Sequence, residues 1–279
     1  MLSSLRESGS KYPLVVMVLP SDSARGAQVL NEYREILKRA GCVLREVDTL
    51  VLALGGYTGT QTRYIDIWAK SRAFGLCEFE RIVLIDSDML PQVIHVLVIR
   101  CAYPTILLNG TPGLDVLCTP FQPGPDDPTI LHYINSGLVV LTPSARAHDE
   151  VIQALHADPK VSTYPFVDQD FLAHYFNGRI KYLGYEFNAL KPMRECHKDL
   201  WRDENVRNAH YVLKDKPWSI PESSKELEPQ FLLVHSWWWD EWRKIESRYG
   251  GESWWHLIEP LVAAHSTNLP RSGSFCKLW

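Results

Sequence analysis

The chain is poor in the features that would place it in several common classes. None of its six cysteines has a close neighbour: Cys42, Cys77, Cys101, Cys118, Cys196 and Cys276 are scattered, so neither a zinc knuckle nor a paired redox motif can be drawn. Such spacing fits free thiols in a reducing compartment. Basic residues are not in excess. The 29 lysines and arginines stand against 33 acids, for a formal net charge of -4, and no local basic patch offers nucleic acid a surface. Long apolar runs are missing too: an N-terminal run from Leu14 to Leu19 is closed by Pro20, too short to span a bilayer and without a small-residue cleavage site. These absences predict a cytoplasmic protein with no nucleic-acid partner and no membrane span.

What is present is an ordinary globular composition, 46% hydrophobic and 22% charged over 279 residues, enough for a substantial core. One α/β unit of residues 1–279 is expected, with no repeat, low-complexity tract or clear linker. Leu14 to Leu19 lacks alternation, the pattern of a strand buried on both faces. Apolar positions at Ala27, Leu30, Tyr33, Leu37 and Ala40 then recur at helical spacing, with Gly41 as a stop, and Val43 to Val47 resumes strand character. Strand, helix, strand implies a right-handed parallel crossover. A helix through Tyr64 to Phe74 ending at Gly75 precedes a strand at Ile82 to Ile85. Later, Tyr133 to Leu141 reads as a strand, and a helix after Ser144 carries Val151, Ile152 and Leu155 on one face. Prolines 104, 112, 120, 123 and 125 break any period between Pro91 and Asp127.

Asp86-Ser87-Asp88 follows the Ile82 to Ile85 strand directly. Beyond the carboxyl end of a parallel strand lies the ligand crevice of open α/β sheets, and carboxylates two positions apart point to one side of an extended chain. The pair suits a divalent cation that bridges a diphosphate; two solvated turn carboxylates are the alternative.

Five segments extend the pattern: Ala69-Lys70-Ser71-Arg72-Ala73-Phe74, Ile85-Asp86-Ser87-Asp88-Met89, Asn135-Ser136-Gly137, Asp168-Gln169-Asp170, and His210 through Lys216-Pro217-Trp218. Their order resembles that of the family 8 retaining glycosyltransferases, on the side of glycogenin and galactinol synthase, from about Leu14 to Trp218. The resemblance implies a GT-A-type, Rossmann-like nucleotide-diphospho-sugar transferase fold with a mainly parallel central sheet. Its nucleotide-binding half would cover about 12–90, and its acceptor-binding and metal-completing half about 130–279. The implied reaction moves glucose or galactose from a UDP-sugar to a hydroxyl acceptor with retention, using manganese, with magnesium as a substitute. Asp86, Asp88 and His210 match the metal ligands, and manganese accepts imidazole beside oxygen. Lys216 matches the lysine on the donor diphosphate, and Lys70 one near phosphate and sugar, with Arg72 as an assistant. Asn135, Ser136, Gly137, Asp168 and Gln169 fall in the segments that hold the donor, and Ser87 lies between the metal acids. A homodimer is a family-level expectation.

Two mechanisms follow from retention. Double displacement needs a carboxylate at the anomeric carbon, for which Asp168 with its neighbour Gln169 is the candidate. Same-face attack needs only positioned reactants and a phosphate that takes the acceptor proton, and it is the preferred route. Rival readings are a haloacid-dehalogenase-like phosphatase, whose nucleophile also sits in an Asp-x-Asp, and a nucleotide-sugar sensor without turnover. The phosphatase motif normally opens its domain, whereas here a strand-helix-strand unit precedes Asp86. An external acceptor is preferred to self-modification, for which Tyr182 and Tyr185 are the candidate targets. The tryptophan-rich stretch from His235 to Trp242 reads as core packing, with a sugar-stacking surface as the alternative.

Overall fold

A computed structural model of the chain describes residues 1–22, 31–48, 50, 52, 59–92, 106–109, 134–177, 179–225 and 227–262. Helix α1 (Leu2–Glu7) leads into β1 (Leu14–Val18), α2 (Asn31–Arg39) and β2 (Cys42–Glu46). The two strands pair in parallel from Leu14↔Cys42 to Val18↔Glu46, as the crossover pattern requires. Of the apolar positions that predicted this helix, Ala27 and Leu30 lie outside the described residues. Gly41 ends α2 at φ +79, a left-handed conformation that costs glycine least. Arg34 on α2 is buried and donates to Leu19 O (2.6 Å) and Glu46 Oε1 (3.3 Å), fastening the helix to the carboxyl ends of both strands.

The helix expected to end at Gly75 does so, as a run of 3-10 turns from Gly59 to Gly75. It leads to β3 (Ile82–Ile85), followed by β4 (Met89–Pro91), β5 (Ile106–Asn109) and β6 (Asn135–Leu141). After α3 (Ala145–Ala157) and α4 (Asp168–Tyr175) come β7 (Ile180–Leu183), β8 (Ala189–Leu190), α5 (Met193–Cys196), β9 (Asn208–His210) and α6 (Leu232–Tyr249). Among the described residues, β3, β6, β5 and β7 form one sheet in that order. Here β6 runs antiparallel to both neighbours, while β5 and β7 are parallel. Its core joins Trp68, Phe74, Val139, Leu141, Val151, Leu155 and Phe171. Ser144 caps α3 by accepting from Ala147 N (3.0 Å), as its position after the strand predicts.

The expectation that the Leu14 to Leu19 strand is buried on both faces is not met. Only Leu14 of β1 is buried, and Val83 of β3 is 46% exposed. Among the described residues β3 ends its sheet: Ile82 and Leu84 turn to the core, and on the opposite face Ile85 meets Met89 and Leu138.

A third ladder, β4-β9-β8, pairs Met89 with His210 in antiparallel register. The tryptophans of α6 are packed: Trp239 and Trp242 are buried, and Trp242 stacks on Trp238 (5.7 Å) and Trp255 (5.1 Å). Among the described residues, no helix is long and apolar enough to cross a membrane. Among the described residues Cys42 and Cys77 are free thiols, whereas Cys196 is disulfide-bonded, which the scattered spacing did not suggest.

Candidate active site

Backbone pairing brings together residues far apart in sequence. Asp86 N donates to Gly137 O (2.8 Å), continuing the β3–β6 ladder one step past Ile85. Tyr211 N donates to Asp88 O (3.0 Å), continuing the β4–β9 ladder. The two acids at the tip of β3 are thereby held beside the end of β9, which carries His210. Asp86, Asp88 and His210 each turn a ligand atom inward, and these atoms lie within 4.8 Å of one another. One ion with ligand bonds of about 2.1 Å spans about 4 Å, so a small inward movement would let the three share it.

The hydrogen-bond network shows which imidazole nitrogen can bind. Gly137 N–H donates to Asn135 Oδ1 (3.0 Å), which fixes the orientation of that amide. Asn188 Nδ2 donates to the same oxygen (2.8 Å), so Asn188 Oδ1 faces His210 Nδ1 at 2.7 Å. Nδ1 is then the nitrogen that donates to Asn188, and Nε2 is the one that faces Asp88 Oδ1, 3.1 Å away. Nε2 is therefore the nitrogen placed to take a metal, its ring oriented by the partner behind it. Gly137 gives the ring its room, because a Cβ there would lie 2.4 Å from His210 Cε1.

Two lysines border the acids. Lys70, on the 3-10 run, places Nζ 2.5 Å from Asp86 Oδ1 and 3.4 Å from Asp168 Oδ2. Lys216 Nζ lies 2.5 Å from Asp88 Oδ2 and also donates to Tyr211 O. Burial would raise the Asp88 carboxyl, but His210 and Lys216 beside it more than offset this and hold it well below the usual range. Burial would likewise lower the Lys70 ammonium, yet Asp168 and Asp86 keep it above the ordinary lysine value. Asp168 goes the other way: burial pushes its carboxyl up against the pull of Lys70.

Asp168 and Gln169 open α4 after Val167, whose φ of +50 is unusual for a β-branched residue. Asp170 holds this turn by accepting from Phe166 N (2.8 Å). Gln169 Oε1 accepts from Asn135 Nδ2 (3.1 Å), while its buried Nε2 has no hydrogen-bond partner. An unmatched buried donor is costly unless something accepts from it, and a sugar hydroxyl is a suitable acceptor. Ser136 is buried beside Asp168, and Ser87 occupies the turn between the two acids.

Thus Lys70, Asp86, Asp88, Asn135, Ser136, Gly137, Asp168, Gln169, His210 and Lys216 are connected by direct contacts. Arg72 is not among them, because it points to Asp48 O (3.3 Å) and His148 (3.4 Å). Tyr185 is buried, its hydroxyl accepting from Arg202 N (2.8 Å), which closes it to sugar transfer; the Tyr182 side chain lies outside the described residues. Sequence reasoning overlooked Asn188, for which no spacing signal existed. It also overlooked Lys191, detectable only as a lone charge in Ala189-Leu190-Lys191-Pro192-Met193.

The fold is of the GT-A type, and it sets a strand-end acid pair beside a distant imidazole. The structure superposes on a galactosyltransferase, LgtC, solved with donor and acceptor sugar analogues, at TM-score 0.52 and 18% identity, covering 78% of this chain and 84% of that one. It also matches the glycosyltransferase GlyE of Streptococcus pneumoniae, at TM-score 0.54 and 13% identity, over 96% of this chain and 62% of that one. No protein-family profile matches the chain. By sequence the chain is similar to galactinol synthases. Galactinol synthase 1 of Solanum lycopersicum is 28% identical over 246 residues, 84% of this chain and 73% of the relative. Galactinol synthase 4 of Arabidopsis thaliana is 27% identical over 254 residues, with the same coverage. These similarities do not favour the phosphatase alternative.

Proposed function

We propose that the chain transfers a hexose from a UDP-sugar to a hydroxyl of a separate acceptor, with retention of anomeric configuration and dependence on manganese. The observation that carries this reading is the convergence of Asp86, Asp88 and His210, flanked by Lys70 and Lys216. Two carboxylates and a neutral imidazole fit manganese better than a purely oxygen-seeking cation. When bound, such an ion supplies Lewis-acid stabilisation of the charge that develops on the departing diphosphate. Asp88 Oδ1 and His210 Nε2 would hold it together with Asp86. On this reading the Lys216 ammonium adds a second positive charge to the leaving group.

Gln169 Nε2 and Asp168 supply a donor and an acceptor for sugar hydroxyls, and Asn135 fixes the amide orientation of Gln169. Asp168 lies beside Lys70 and Ser136, and burial raises its carboxyl. Both features suit a group that holds the sugar better than an attacking nucleophile, which favours the same-face route. Because the sequence relatives are galactinol synthases, galactose is the first donor sugar to test. The assay is UDP release from UDP-galactose and UDP-glucose across a panel of polyol and sugar acceptors, with manganese present or chelated. Release should require manganese and fall at least about 100-fold in Asp88→Asn. Undiminished release under chelation, or from Asp88→Asn, would refute the reading.

A further inference from the structure

Lys191 plays no part in the chemistry above, yet among the described residues it is the one lysine that is buried, at 1% exposure. It follows β8 directly, and its backbone N–H donates to His210 O (3.0 Å). The side chain turns under the loop between β9 and Lys216. There Nζ donates to Lys214 O and Asp215 O, both at 2.8 Å, and lies 4.7 Å from the centre of the Phe231 ring. Two carbonyls and an aromatic face account for the three donors of an ammonium group.

The loop it grips has an unusual backbone. Leu213 and Asp215 adopt φ of +67 and +61, the left-handed region that non-glycine residues enter at a cost. Leu213 is 52% exposed, so packing of its side chain does not hold it there. Such a conformation persists only where surrounding contacts over-determine it. Its start is fixed by Tyr211 N on Asp88 O, its middle by the Lys191 ammonium, and its end by Lys216 reaching Asp88 and Tyr211 O.

We propose that Lys191 is a positioning residue: it holds loop 212–216 in the strained form from which Lys216 reaches the acid pair and the donor diphosphate. The inference rests on the function proposed above for Lys216. Lys191 does not touch the reacting groups; it preorganises one that does, and such preorganisation appears in donor affinity.

The test compares Lys191→Met, which fills the same volume without donors, with Lys191→Arg, which keeps the cation and can donate to both carbonyls. UDP affinity with manganese is measured by titration calorimetry. It should weaken about tenfold or more in Lys191→Met and stay within about threefold of wild type in Lys191→Arg. The melting temperature of Lys191→Met should stay within about 4 °C of wild type. A ligand-free readout separates this inference from the functional one. Trypsin cleaves after Lys214 but not at the Lys216-Pro217 bond, and cutting at Lys214 should be about fivefold faster in Lys191→Met because the loop opens more often. If wild type binds no UDP, the functional reading fails and the proteolysis result alone decides the clamp. A folded Lys191→Met with wild-type cleavage at Lys214 overturns the proposal, as does UDP affinity within about twofold of a binding wild type. A Lys191→Met chain that does not fold would make Lys191 a determinant of stability and overturn it as well.

Discussion

His235 on α6 should make the fold acid-labile well above the range in which carboxylates titrate. Its ring is 1% exposed, with Phe231 nearly parallel at 6.2 Å and Tyr211 edge-on at 5.8 Å. Neither ring nitrogen has a hydrogen-bond partner. Burial first, and the nearby Lys191 charge second, lower its pKa to about 4. An unfolded histidine titrates near about 6.5, so as pH falls the unfolded chain takes up the proton before the folded one does. Stability is therefore fully present above about pH 6.5 and declines until about pH 4. Between pH 7 and pH 5 the loss is about 2 kcal/mol, or about 5 °C of melting temperature for a chain of this size. Burial lowers Lys191 only to about 8 and pushes the Tyr211 hydroxyl up, so neither changes charge in this window. His235→Phe keeps an aromatic ring between Phe231 and Tyr211 and removes the titration. Melting curves recorded by near-ultraviolet circular dichroism from pH 7 to pH 5 should show wild type losing about 5 °C more than His235→Phe. Parallel pH profiles for the two proteins would refute the reasoning, since every other titrating group is common to both.

Gly137→Ala should fold, because the groups a Cβ would meet are the side chains of His210 and Asn135. Displacing the imidazole should nevertheless weaken manganese-supported UDP binding about tenfold or more, as calorimetry would show. Asn188→Leu removes the acceptor for His210 Nδ1–H, so half-saturation by manganese in the UDP-release assay should rise about 10- to 100-fold while the rate at saturating metal changes far less. Trp242→Ala breaks the stack with Trp238 and Trp255; it should destabilise the fold by about 3–5 kcal/mol in urea titrations and leave UDP affinity of the folded fraction unchanged.

Local signals survived folding where a single element carried them. The parallel pairing of β1 and β2 follows from apolar runs separated by a helical period, and the start of α3 from Ser144. The acid pair was legible because it sits at the end of a short apolar strand. Contacts across elements were not. Arg72 shares a segment with Lys70, yet two residues along a tightly wound helix turn a side chain to a different face, and it meets Asp48 and His148 instead. Asn188 acts because β8 and β9 align side by side and β6 passes close, a geometry no spacing in Glu186-Phe187-Asn188 encodes. The tryptophans of α6 were legible as well: large aromatic area is most favourable when buried, and Trp239 and Trp242 are the core residues that reading expects.

The charge arrangement explains why, on the proposed reading, a cation belongs to the binding surface and is not an accessory. Asp86, Asp88 and Asp168 face Lys70 and Lys216, and a metal-ligating His210 would be neutral. Three carboxylates against two ammonium groups leave these acids and lysines without net positive charge. A diphosphate carrying two negative charges gains nothing from such a surface, because each lysine is already paired with an acid. Asp86, Asp88 and His210 would hold a divalent ion whose charge reverses the sign, leaving the lysines able to turn toward phosphate. The same contacts that hold the lysines in place thus keep them from binding phosphate prematurely, which makes metal first and nucleotide second the expected order of binding.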